Sequence, residues 1–257
     1  MYMRRRELIC SLGAIALRKS LGNAISSEAT RDERASSTGA AQQTEAGRVA
    51  GVRLVDSRLA KAASDLARSV SPPYLYNHAV RTFLFASLAG TATGQKFDAE
   101  MLYLACILHD LGLTEKFQGD LPFEIQGAEA AKRFLEENGY DAGKSAVVWD
   151  GIAMHASMIG HFKQPEISLV GVGAGTDVGG PDFSQVSKSQ VREILAAYPR
   201  LEFTDAFLKT CADVVRKHPG SAGRSFMRDI GQRYVTGYQP RNFCDAISEA
   251  PFADTKE

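Results

Sequence analysis

MLYLACILHDLGL, residues 101–113, carries eight uncharged residues straight into His109–Asp110 and continues with Leu111 and Leu113. An ionised carboxylate in such surroundings is costly to bury unless a partner compensates its charge. A metal cation is one such partner, since carboxylate and neutral imidazole are natural ligands. The plainer alternative makes His109 a helix-end cap and Asp110 an acceptor for a backbone N–H, the ordinary fate of buried polar groups. Two other positions favour the metal. His78 falls on the preceding predicted helix, and Asp177 lies in LVGVGAGTDVGG, a stretch with no other charge. Asp150 and Asp182 are competing acids in the same part of the chain.

Outward from this stretch the pattern is helical throughout. Leu54, Val55, Leu59, Ala62, Ala63 and Leu66 form a stripe at spacings of three and four, so a first helix is expected from Val52 to the Pro72–Pro73 stop. Further helices are predicted over residues 74–92, from the Asp98 cap to 111, 125–138, 144–158, 166–178, 188–197, 201–218 and 221–235. Period-two strand stretches are absent. The expected fold class is an all-α helical bundle, one domain over residues 49–250.

The amino terminus stands apart. Arg4, Arg5 and Arg6 precede a ten-residue apolar run at 8–17, followed by Arg18 and Lys19. This is the layout of a twin-arginine-like export signal, although the trailing basic pair and the lack of a clean A-x-A site fit an unprocessed leader equally. Residues 1–25 are therefore expected to direct export to the periplasm or to remain as a frayed cytoplasmic leader. The run is too short for a stable membrane span. Residues 26–48 hold almost no large apolar side chain and are expected to form a disordered linker.

The 257 residues carry 30 basic and 30 acidic side chains, so net charge offers no argument for nucleic acid as a partner. A small-molecule substrate is expected; self-association is left open. The four cysteines (Cys10, Cys106, Cys211 and Cys244) form no CxxC pair, and Cys106 reads as a small buried hydrophobe. The glycines around Asp177 complete neither G-x-G-x-x-G nor G-K-[ST]; close helix packing is their expected use.

In its H…HD…D pattern on a helical bundle, the sequence resembles the HD-domain superfamily. The resemblance implies one divalent metal held by His78, His109, Asp110 and Asp177, with zinc and iron(II) both suited to two imidazoles and two carboxylates. YNHAVRTFLFA (76–86), LACILHDLGLTEKF (104–117), FEIQGAEAAKRFL (123–135) and VGAGTDVGG (172–180) resemble the cyanamide hydratase-like branch of that superfamily over roughly residues 55–245. Gln126 departs from the acid expected at its place. The implied activity is a metal-dependent hydratase (a lyase) or hydrolase that adds water to a small nitrile-type compound such as cyanamide, giving urea. Asp110 and His155 are the leading catalytic candidates, His155 as proton donor, as an auxiliary metal-site residue or as a core histidine, with Glu124 and Lys116 behind them. Two alternatives share the ligand set. One is an HD-type phosphohydrolase acting on a nucleotide or phosphate ester, for which Arg81 and Lys116 are the available cations. The other is a non-catalytic module stapled by its metal.

Overall fold

The computed structural model describes residues 47–223 and 225–252. The leader at 1–25 and Cys10 lie outside the described residues, as does the linker except for Gly47 and Arg48. The first described element corrects the sequence reading. Instead of a helix beginning near Val52, β1 (Arg48–Val49) pairs antiparallel with β2 (Val52–Arg53), Arg48 opposite Arg53. Ala50 and Gly51 hold φ of 53° and 82°, left-handed values that turn the chain and are incompatible with a helix start. The helix waits until Ser57, whose hydroxyl accepts the N–H of Ala60 as an N-cap.

Among the described residues ten α-helices follow: α1 (Arg58–Val70), α2 (Pro73–Ala92), α3 (Ala99–Leu108), α4 (Phe123–Glu137), α5 (Ala142–Met154), α6 (Pro165–Gly179), α7 (Lys188–Ala197), α8 (Phe203–Lys217), α9 (Met227–Tyr234) and α10 (Phe243–Ser248). Short 3-10 segments occupy Leu111–Leu113, Met158–Phe162 and Pro219–Ala222. The all-α bundle is the fold class expected; α10 was not. No described helix is long and apolar enough to cross a membrane.

Two helices end earlier than their apolar pattern suggests. α3 stops at Leu108, leaving His109 as its C-cap and Asp110 at φ −100°, ψ 13°. The cause is packing. A side chain at Gly112 would overlap the carbonyl of Phe123, so the chain passes hard against the start of α4. α5 likewise stops at Met154, and His155 caps it rather than sitting inside it.

The core is built around α2 and α3. Leu102, Leu104, Cys106 and Leu108 are fully buried, as are Phe83 and Leu84 of α2. Each large apolar side chain withdrawn from water in this way contributes about 1.5–3 kcal/mol. α6 packs on α2 at very close range: a Cβ at Gly173 would lie 2.2 Å from the Thr82 carbonyl oxygen. Close packing is thus the use made of Gly173, while a Cβ at Gly175 would meet nothing within 4 Å. A second apolar cluster gathers Phe203, Phe207 and Val215 of α8 with Met227 and Ile230 of α9 against Leu75, Leu113 and Phe123.

Candidate metal centre

α2 delivers His78, and the turn after α3 delivers His109 and Asp110; all three are buried. One ligand atom from each lies within 4.8 Å of the others. The Nε2 atoms of His78 and His109 are 3.3 Å apart, and each stands near Asp110 Oδ2, at 3.6 Å and 3.3 Å respectively. Asp110 has backbone angles close to the bridge region, where active-site residues are often found.

The far side of each ring fixes which atom is free. His109 Nδ1–H donates to the carbonyl oxygen of Cys106 at 2.7 Å, and His78 Nδ1–H donates to Asp177 Oδ2 at 2.7 Å. Both acceptors lack a proton of their own, so the two Nδ1 atoms carry hydrogen and the two Nε2 lone pairs face inward. Asp110 adds two buried carboxylate oxygens that have no hydrogen-bond partner among the described residues. Two imidazole lone pairs and an unpartnered carboxylate converging on one point is a donor set that fits a divalent cation. Leaving such acceptors face to face without one is costly.

Electrostatics give the same picture. Burial raises the Asp110 carboxyl, but the imidazoles of His109, His78 and His155 outweigh it and hold Asp110 well below the usual carboxylate range. Burial lowers His109, yet the charge of Asp110 prevails and raises it. At His78 burial prevails instead and pushes the imidazole down, in keeping with an unprotonated Nε2.

Asp177, which the resemblance implied as the fourth ligand, stands one step back, behind His78. Arg81 Nε and Nη2 donate to its two carboxylate oxygens at 2.7 Å each, and Oδ2 also accepts from His78. Arg200 Nη1 donates to the Asp177 backbone carbonyl at 2.7 Å. Burial raises the Asp177 carboxyl, and the bonds from His78 and Arg81 bring it down to about 2. Arg81 is itself fully buried, and its Nη1 donates to the carbonyls of Tyr198 and Pro199. This clasp joins α2, α6 and the segment between α7 and α8.

His155 lies beside the cluster, its ring edge-on to His109 with centroids 4.9 Å apart. Its Nδ1–H donates to the Ile152 carbonyl at 2.7 Å, which leaves Nε2 bare and 4.0 Å from Asp110 Oδ1. Burial and the neighbouring His109 push its pKa down to about 4, so the ring is neutral near pH 7.

A cavity of about 500 Å³ opens onto His78, His109, Asp110 and His155. Phe203, Phe207, Leu208, Phe226 and Ile230 line one part of it, while Gly171, Ala174, Gly175 and Val178 of α6 line another. Arg200 is the one lysine or arginine at its surface among the described residues. The chain enters α8 through Leu201 and Glu202, both left-handed at φ 52° and 57°, a strained pair next to Arg200 and Phe203.

The remaining expected residues fall elsewhere. Glu124 is buried in the first turn of α4, outside the cavity lining, with Oε2 unpartnered and its pKa raised to about 7 mainly by burial. Lys116 is exposed and stands over the ring of Phe117. Gln126 packs close to Gly119. Asp150 faces Lys163 at 3.9 Å, and Asp182 accepts from Ser184 on an exposed turn. Neither joins the cluster. Sequence reasoning assigned nothing to His161, which lines the cavity, and read Phe203 and Phe207 only as part of an amphipathic helix. Their i, i+4 spacing on one helix face was the available signal.

A scan of the sequence against protein-family models matches the HD domain over residues 75–172. That span includes His78, His109, Asp110 and His155 and ends before Asp177. HD domains bind divalent metals and are typically metal-dependent hydrolases. A search of the curated proteins found no match.

Proposed function

We propose that this protein is a metal-dependent enzyme that adds water to a nitrile-type group, with cyanamide, which would yield urea, as the minimal substrate. The observation that carries the proposal is His155: a buried, neutral imidazole with a bare Nε2, beside the three-ligand cluster and inside the cavity. Such a group suits a reaction whose demand, besides binding, is the movement of a proton from water to nitrogen.

His78, His109 and Asp110 would hold the metal, and Asp177 would orient His78 rather than ligate. A buried carboxylate behind a ligating histidine fixes its tautomer and ring angle. The chemistry the ion supplies when bound is Lewis acidity, which makes water more acidic, toward a pKa of about 7 for zinc. His155 takes a proton at Nε2 and returns it to the nitrile nitrogen. In the net reaction the water oxygen bonds to the nitrile carbon, one C–N π bond opens toward nitrogen, and both water protons finish on nitrogen. No bond between heavy atoms breaks, so no leaving group needs a separate acid.

A neutral substrate accounts for the sparse positive charge. Phosphate recognition calls for a cluster of arginines or lysines. Here Arg81 is buried against Asp177, Lys116 is exposed and outside the cavity lining, and Arg200 already holds a carbonyl. The likeness of residues 76–86, 104–117 and 172–180 to cyanamide hydratase-like proteins supports the same reaction.

The test is urea formation from cyanamide by the metal-replete protein and by His155→Gln. Urea from the parent, with a loss of about 10²–10⁴-fold in the variant at unchanged metal content, is the expected result. No amide product from any nitrile, with metal bound, would overturn the proposal.

A further inference from the structure

The cavity is far larger than cyanamide needs. A cavity of about 150 Å³ is enough to take benzene, and pockets of roughly 300–1,000 Å³ serve ligands of drug size. At about 500 Å³, the space beside His155 leaves most of its volume unfilled by a molecule of three heavy atoms. Its shape and chemistry indicate what fills the remainder. Phe203 and Phe207 stack with centroids 4.9 Å apart and planes 22° apart, and Phe226 continues the series at 6.3 Å and 25° from Phe207. These rings give the cavity an aromatic wall. The α6 residues Gly171, Ala174 and Gly175 give it a side nearly bare of side chains, and a Cβ added at Gly175 meets nothing within 4 Å. The mouth is apolar as well. Met158 and Val178 line the cavity while remaining 73% and 53% exposed, and Ile159 and Phe162 of the same 3-10 segment are also exposed. Exposed apolar side chains continuous with a cavity mark the path of an apolar ligand.

We infer that the substrate carries its reacting group on a flat, apolar body the size of a benzene ring or larger, seated between the phenylalanine wall and the glycine side of α6. The inference rests on the nitrile-hydration reading for the reacting group and on the cavity alone for the body. The reaction is unchanged: N-phenylcyanamide plus water gives phenylurea, with the same bonds formed and opened.

The experiment compares cyanamide with N-phenylcyanamide on the full-length, metal-loaded protein and measures phenylurea binding by calorimetry. Burial of the phenyl ring is expected to raise kcat/KM for N-phenylcyanamide at least thirtyfold above that for cyanamide. Gly175→Leu, which adds a side chain at an exposed position of the cavity lining, is expected to cut that preference at least tenfold and to weaken phenylurea binding. Val178→Phe at the exposed mouth gives a second variant should the first fail to fold, and is expected to shift the preference in the same direction. Equal or faster turnover of cyanamide, with no phenylurea binding, would overturn the inference and leave nitrile hydration standing. Phenylurea binding that Gly175→Leu weakens, with neither compound turned over, would support the apolar body and sink the hydration reading. Absence of both binding and turnover would overturn both.

Discussion

Asp110 and Asp177 are two buried aspartates a short distance apart, and their surroundings are opposite. Asp177 has every acceptor taken: Arg81 on both oxygens, His78 on one, Arg200 on its carbonyl. Asp110 has no hydrogen-bond partner on either oxygen among the described residues and faces two imidazole lone pairs. A saturated carboxylate gains little from a further cation and works through the groups it holds. An orphaned one is stable in the dark of a protein interior only when something outside the polypeptide completes it. Burial alone therefore does not identify a ligand; the unmet demand of the buried group does.

The sharpest way to break this contrast is to neutralise the orphan. Asp110→Asn is expected to abolish metal retention and to lower hydration activity at least about a thousandfold, near 4 kcal/mol of barrier. It is also expected to cost the metal-free protein little stability at a pH where the facing imidazoles are neutral, because the attraction that holds the Asp110 carboxyl down comes from their charge. Metal analysis, urea assay and chemical denaturation together check it. A clear loss of metal-free stability would show that Asp110 is structurally satisfied after all.

Arg81→Met attacks the saturated partner and should act in the opposite sense. It strands the Asp177 charge in the interior, and breaking a buried pair in this way costs about 3–5 kcal/mol. Urea denaturation of the metal-free protein measures the cost. A loss below about 1 kcal/mol would mean that the clasp opens to water.

Asp177→Asn decides between orientation and ligation. As a group that orients His78, it is expected to weaken metal binding by about 10–100-fold while leaving a stoichiometric site at high metal concentration. Competition titration against a chelator reads the change. Loss of binding as complete as that of Asp110→Asn would place Asp177 among the direct ligands. The smallest effect is expected at Lys116, where Lys116→Ala should change cyanamide turnover by less than about twofold, since surface substitutions remote from the site usually cost little. A large drop would place Lys116 among the groups that act in the reaction, despite its exposure.

The sequence displayed the polar half of the site plainly and the rest poorly, for physical reasons. His109–Asp110 stands out because an apolar run cannot hide two polar residues, and His78 follows from the same contrast. Arg81 could have been read likewise: an arginine within HAVRTFLFA needs a buried acid, and Asp177 sits in a stretch with no other charge. The helices were legible from their 3.6-residue period, but their ends were not. α3 halts at Leu108 because Gly112 must approach the Phe123 carbonyl, a tertiary demand no local pattern records. The hairpin at residues 48–53 was missed because two-residue strands are too short to show alternation. The aromatic wall escaped because Phe203 and Phe207 look, in one dimension, like any core-facing helix stripe.

The cavity draws its two sides from separate stretches of chain. The reacting groups come from residues 78–155, and the phenylalanine wall comes from residues 203–226. Mutation can therefore explore the second stretch while the first keeps its inventory intact. A library confined to α8 and the start of α9 would sample new substrate shapes on a constant reaction.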